Sequence, residues 1–140
     1  MDLAGLLAAA RATGDLSPLV AAVPYARFLG LTVAGDGVVT LPFSDKLVGN
    51  MMIPALHGGT LGALLESAAI FRLFLETEAG QVPKTISLTV DYLRSAGARD
   101  TLASAEITRH GRRIATVRAL AWQEDRHKPV AAAHAHFLLS

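Results

Sequence analysis

Residues 58–79 carry the feature that most limits what this chain can fold into: one long apolar helical pattern, after which the period changes. Leu61, Leu64, Leu65, Ala68, Phe71 and Leu75 recur at spacings of three and four, which predicts a helix with one buried stripe. Beyond Gly80 the period drops to two. In KTISLTVDYLRS, Ile86, Leu88, Val90 and Tyr92 are predicted on one face and Thr85, Ser87, Thr89 and Asp91 on the other. DTLASAEITRH, RRIATVRALAWQ and PVAAAHAHFLLS are three more strand candidates, separated by HGR and EDRHKP. A long helix followed by strands joined through short turns predicts an α+β architecture, an antiparallel sheet wrapped around one central helix.

The first half of the chain is less regular. DLAGLLAAARA predicts a short helix with Leu3, Leu6, Leu7 and Ala10 on one face, ended by Gly14. SPLVAAVPYARFLG reads as a connector broken by Pro18 and Pro24. The apolar runs around Gly35-Asp36-Gly37 predict a hairpin, and Pro42 places its second strand near an edge or a strand end. SDKLVGNMMIPA reads as a loop. With no internal repeat or low-complexity stretch, the expectation is a single domain over residues 1–140, with 1–27 as helix and connector and 28–140 as core.

Composition excludes several functional classes. The absence of cysteine rules out disulfides and thiolate metal sites, and a formal net charge of +1 with dispersed basic residues argues against nucleic acid as a partner. The N-terminus lacks a basic region before its apolar residues, so no signal peptide is expected. The apolar runs read as too short or too interrupted to span a bilayer, and a cytoplasmic location without membrane attachment is expected. The apolar fraction of 51% with few aromatics suggests apolar surface buried between chains.

The helix opens on an unusual stretch, PALHGGTLGALLESAAI. Two adjacent glycines give up helix propensity of about 1 kcal/mol each. Placed at a helix N-terminus, Gly58 and Gly59 would let a carbonyl approach unpaired N–H groups unobstructed, an oxyanion-type arrangement; the plain alternative is a loop-to-helix turn. Glu66 stands among Gly62, Ala63, Ala69 and Ile70, with no lysine or arginine at helical spacing to pair with it. A carboxylate in such surroundings suits a general base or nucleophile; the alternative is an ordinary glutamate on a wet face. Nine positions separate His57 from Glu66, about 13.5 Å of helical rise, so the two ends cannot meet at one carbon within one chain. If the stretch is catalytic, the site needs two antiparallel copies of the helix in a dimer.

These residues resemble the hotdog-fold acyl-CoA thioesterases of the 4-hydroxybenzoyl-CoA and phenylacetate-pathway type. The resemblance rests on HGG followed nine positions after the His by an acid, on GN in the preceding loop, on TISLTVDYLR, and on GRRIATVRALAWQ with PVAAAHAHFLL; it runs from about residue 28 to residue 139. It implies a long helix wrapped by a curved antiparallel sheet of five to six strands, assembled as a homodimer or a dimer of dimers. It also implies cofactor-free hydrolysis of an acyl-CoA. Gly58 would polarise the thioester carbonyl, His57 would shape its loop, and Gly59 would lie beside the substrate. Glu66 of the partner copy would be nucleophile or base, Thr85 would orient the water, and Asn50 would supply a loop amide near the thioester. The chain departs from the pattern in three places: seven positions rather than six separate Asn50 from His57, Pro54 stands where glycine is common, and Ser95 replaces a proline after YLR. The first two predict a bulged loop.

Arg94, Arg112 and Arg113 lie beside turns and are candidates for coenzyme A phosphates; the alternative is solvated strand-end charge. His134 and His136 share a strand face, but with no third ligand at a convincing spacing no metal is expected. A hotdog protein that binds acyl-CoA without hydrolysis is the competing reading, although a binder needs no unpaired carboxylate. A hotdog dehydratase would need a catalytic histidine paired with an acid in a different loop, and no such motif occurs.

Overall fold

The computed structural model describes residues 2–77 and 82–139. Three helices come first, α1 (Leu3–Thr13), α2 (Ser17–Ala21) and α3 (Pro24–Leu29), then β1 (Thr32–Val33) and β2 (Val39–Leu41). A 3-10 turn at Asp45–Leu47 leads to β3 (Val48–Asn50), β4 (Ala55–Leu56) and the long helix α4 (Gly58–Glu76). Four long strands follow: β5 (Lys84–Tyr92), β6 (Thr101–His110), β7 (Ile114–Trp122) and β8 (Ala131–Leu138).

The main sheet is six-stranded and antiparallel throughout, in the order β1-β2-β6-β7-β8-β5. Its inner face is built largely of alanine: Ala103, Ala115, Ala119, Ala121, Ala131, Ala133 and Ala135 are buried, with Val117 and Phe137 among them. Small residues on the sheet leave room for large ones on the helix. Leu61, Leu64, Leu65, Ala68 and Phe71 of the expected stripe fill that room, and so do Leu73 and Phe74, which the stripe omits. Each leucine or phenylalanine taken out of water there contributes roughly 1.5–3 kcal/mol. By length and composition α4, with a mean hydropathy of 1.3, could cross a bilayer, against the expectation from the sequence; in the fold half of it is buried as the core helix.

Both ends of α4 are tied down. Thr77, extended at φ −126 and ψ 157, ends the helix, and its hydroxyl donates to the Leu73 carbonyl at 2.6 Å. The expected end at Ala79 lies outside the described residues. Arg11, in the last turn of α1, donates to the Phe74 and Thr77 carbonyls at the C-terminal end of α4. Leu7 and Ala10 of α1 join the same buried cluster as α4.

Three local expectations are corrected. Pro18 and Pro24 do not merely break the connector: each sits in the first turn of a short helix, where its fixed φ fits and its missing N–H costs nothing. The loop over 44–55 contains a small hairpin, β3 with β4, bulged at Gly49. The strict alternation of β5 is also broken. Thr85 pairs with Phe137 but Ser87 with His136, so Ile86 is an extra residue, a β-bulge. Thr85, Leu88, Val90 and Tyr92 therefore oppose the buried Phe137, Ala135, Ala133 and Ala131 and share the helix-facing side. The expected facing of Thr85 with Ser87, and of Ile86 with Leu88, is wrong by the one residue the bulge inserts.

Candidate active site

The turn into α4 is built by His57. Its backbone is extended (φ −64, ψ 134), its N–H donates to the Leu47 carbonyl at 2.8 Å, and its ring Nδ1 accepts the Gly59 N–H at 2.9 Å. That bond makes His57 the N-cap and assigns the ring proton, in the neutral form, to Nε2. The Gly59 N–H is consumed by the cap. The Gly58 N–H takes no acceptor among the described residues, and it points from the positive end of a 19-residue helix.

Tyr92 forms the wall beside Gly58. Its hydroxyl donates to the Gly58 carbonyl at 2.8 Å, and a Cβ on Gly58 would lie 3.2 Å from its ring. An open groove of about 450 Å³ runs along this wall, lined by Leu56, Gly58, Leu61, Tyr92 and Leu93 with Arg94 beside them. The sequence places Tyr92 on the apolar face of its strand but does not show that its hydroxyl reaches the helix N-terminus. The signal was there in retrospect: a tyrosine turned toward a core needs a partner for its O–H.

Glu66 lies on α4 where the bulge delivers Thr85. The Thr85 hydroxyl donates to Glu66 Oε2 at 2.9 Å, while Oε1 takes no hydrogen bond among the described residues. Glu66 is half-buried, so the enclosed apolar setting expected of it is absent in a single chain. The two candidate groups are kept apart: Glu66 is held at the second residue of β5 and Gly58 at its last, eight positions of helix or about 12 Å of rise away.

The remaining candidates fall elsewhere. The Asn50 side chain is exposed and accepts the Met52 N–H at 3.0 Å, closing the tip of the β3–β4 hairpin rather than reaching toward Gly58. Arg94 donates to the Pro129 carbonyl near the Gly58 end of β5, whereas Arg112 and Arg113 stand at the β6–β7 turn, at the other end of the sheet. No single groove lines up all three. His134 and His136 are exposed on the outer sheet face, His136 bonded to Thr116 at 3.1 Å, and no metal-holding group of three occurs among the described residues.

A six-stranded antiparallel sheet wrapped on one long helix is a hotdog fold, and a capped glycine N-terminus with a helical carboxylate gives it the parts of a thioester hydrolase site. The chain belongs to the acyl-CoA thioesterase N-terminal domain family, whose pattern matches residues 47–138 and so spans His57, Glu66, Thr85 and Tyr92. Curated protein sequences give no match. Among solved structures, a Chromobacterium violaceum protein is similar at 39% identity over 96% of each chain, with a TM-score of 0.77. A protein from the thioesterase superfamily is similar at 30% identity over 89% of this chain and 95% of its own, with a TM-score of 0.80. A Bacillus halodurans protein crystallised with CoA shares the fold at 22% identity over 94% of this chain and 87% of its own, with a TM-score of 0.72.

Proposed function

We propose that the chain hydrolyses a small acyl- or aryl-CoA thioester to the free acid and coenzyme A, in a site completed by a second copy. The observation that carries this reading is the separation of its two halves: a Gly58 N–H without an acceptor among the described residues at one end of β5, and a Thr85-held carboxylate at the other. Bound at Gly58, the thioester carbonyl would receive the N–H and the helix field as its oxygen gains charge, an effect worth about 3–4 kcal/mol for one well-placed donor. Glu66, through its free Oε1, would take a proton from water. The water oxygen bonds to the acyl carbon, the C–S bond breaks, and the proton passes to the departing thiolate.

The strand between the two halves supports the dimer. β5 is an edge strand of nine residues, and Ile86, Tyr92 and Leu93 beside its open edge are more than half exposed. Such an edge is ready to pair with another strand. Pairing two β5 strands antiparallel across a two-fold axis sets the Lys84 end of one against the Tyr92 end of the other, which brings Glu66 of one copy toward Gly58 of its partner. Membership of an acyl-CoA thioesterase family and the CoA bound to a protein of the same fold support the substrate class.

A thiol-release assay across aryl-, short- and long-chain acyl-CoAs, run with wild type and Glu66→Gln, tests the reaction. Turnover of at least one class, lost in the variant, is expected; no turnover of any class, or equal turnover by both proteins, removes the proposal. Sedimentation under assay conditions tests the assembly, since an active monomer is incompatible with a two-chain site.

A further inference from the structure

One side of α4, next to β5, is open in a single chain. Gly59, Ala63, Glu66, Ser67 and Ile70 fall on it at helical spacing, each half-buried or exposed, while Leu61, Leu64, Leu65 and Ala68 on the other sides are buried. From Gly58 to Ile70, Glu66 is the one charged residue, whereas a helix side that stays in water carries more charge than that. Ser67 spends its hydroxyl proton within the helix, on the Ala63 carbonyl at 2.7 Å. Gly62, beside this side, is buried, yet a Cβ there would meet nothing closer than Val90 at 3.9 Å and the Tyr92 hydroxyl at 4.0 Å. Glycine is a poor helix former, and these ordinary contacts do not require it.

The spacing of the two half-sites says where a second helix would come closest. Glu66 is held at the Thr85 end of β5 and Gly58 at the Tyr92 end. When two antiparallel α4 helices set Gly58 of one copy level with Glu66 of the other, the position halfway between, residue 62, is level with its own copy and marks the two-fold axis. Ala63 is one residue from that level and in the middle of the open side.

We infer that the two α4 helices touch at Ala63 on the axis, and that Ala63 is a positioning residue whose small side chain sets the width of the composite site. The inference rests on the two-chain reading above and adds the contact that fixes its dimensions. Helices packed through small side chains run about 8–9 Å apart, with Cα atoms about 2.3 Å from each axis, so the Cα of Ala63 and that of its copy stand about 4.5–5.5 Å apart. A leucine at this point forces the helices apart and carries Glu66 away from the carbon it serves, where a displacement of about 1 Å can cost about a hundredfold in rate.

The chain has no cysteine, so a single introduced thiol reports the contact directly. Ala63→Cys, mildly oxidised, should form a covalent dimer on a non-reducing gel, since its Cα separation lies within the span of a disulfide, about 4.4–6.8 Å. Ser67→Cys, one turn along the same side, is the control: five positions from the axis, its Cα atoms stand about 15 Å apart along the helices and should not link. Linkage of both variants, of neither, or of Ser67→Cys alone overturns the inference. Kinetics then test the positioning role. Ala63→Leu, shown by its melting curve to fold, should lower kcat at least tenfold, and Ala63→Ser, close to alanine in size, should keep most of it; equal kcat in wild type and Ala63→Leu removes the role. Should Ala63→Leu not fold, the two cysteine variants decide. An absence of thioester turnover by wild type counts against the hydrolase reading, and the cross-linking pattern then decides the helix contact alone.

Discussion

The Thr85 hydroxyl donates to Glu66 Oε2 at 2.9 Å, and it can do so only because Ile86 is an inserted residue that turns Thr85 toward the helix. In the proposed reaction Thr85 is a positioning residue, fixing one carboxylate oxygen so that the other faces water. A hydrogen bond to a charged group contributes about 1.5–3 kcal/mol. Thr85→Val should therefore lower kcat by roughly tenfold or more with little change in KM, and Thr85→Ser should restore most of it. A steady-state comparison of the three proteins decides this: equal kcat in wild type and Thr85→Val removes the role.

Glu66→Gln keeps the shape of the side chain and can still bond Thr85, but it cannot take a proton from water. The loss should appear in kcat, by orders of magnitude, with a modest change in KM. Measured on the best substrate found, retention of most activity by Glu66→Gln would exclude the carboxylate as the catalytic group.

Much of this was legible in the residues themselves. The spacing of Leu61, Leu64, Leu65, Ala68 and Phe71 reports the helix, and the alternation after Lys84 reports the strands, because both patterns are local. HGG and its acid nine positions on mark both halves of the candidate site. The face of Thr85 was not legible, since the bulge at Ile86 is set by pairing with β8 some fifty residues later, and KTISLTV alternates cleanly without it. The Tyr92 contact with Gly58 was hidden for the same reason: it joins residues 34 positions apart. The proline-led helices α2 and α3 were missed because proline opens short helices as readily as it interrupts long ones.

Gly49 should prove intolerant of any side chain. It is the inserted residue of the β3–β4 bulge, and a Cβ there would lie 2.7 Å from the His57 Cα, a backbone atom that cannot swing aside. Gly49→Ala should cost about 1–3 kcal/mol of stability, which lowers the melting temperature by roughly 4 °C per kcal/mol. Because His57 caps α4, kcat/KM should fall as well. Thermal denaturation checks the first effect, and an unchanged melting temperature would contradict the close approach.

Tyr92 makes two separable contributions. Tyr92→Phe keeps the ring against Gly58 and removes only the bond to its carbonyl, about 1 kcal/mol, so kcat/KM should fall less than about fivefold. Tyr92→Ala removes the groove wall as well and should raise KM well beyond the Phe variant. Similar kinetics for both variants would mean that the ring does not line the substrate path.

The two-chain site is tested directly by mixing damaged copies. In Glu66→Gln both composite sites lack the carboxylate. In Gly58→Val both lose the carbonyl pocket, since even a Cβ at that position presses on the Tyr92 ring at 3.2 Å. A dimer formed from one copy of each variant has one site that takes Gly58 from the first and Glu66 from the second, and so is intact; its other site carries both lesions. After unfolding and refolding equal amounts together, half of the dimers should be mixed, each with one good site of two, and activity should approach about one quarter of wild type. Each variant refolded alone should stay inactive. Mass spectrometry establishes that mixed dimers form, and their inactivity would place both groups in one chain or remove one of them from the reaction.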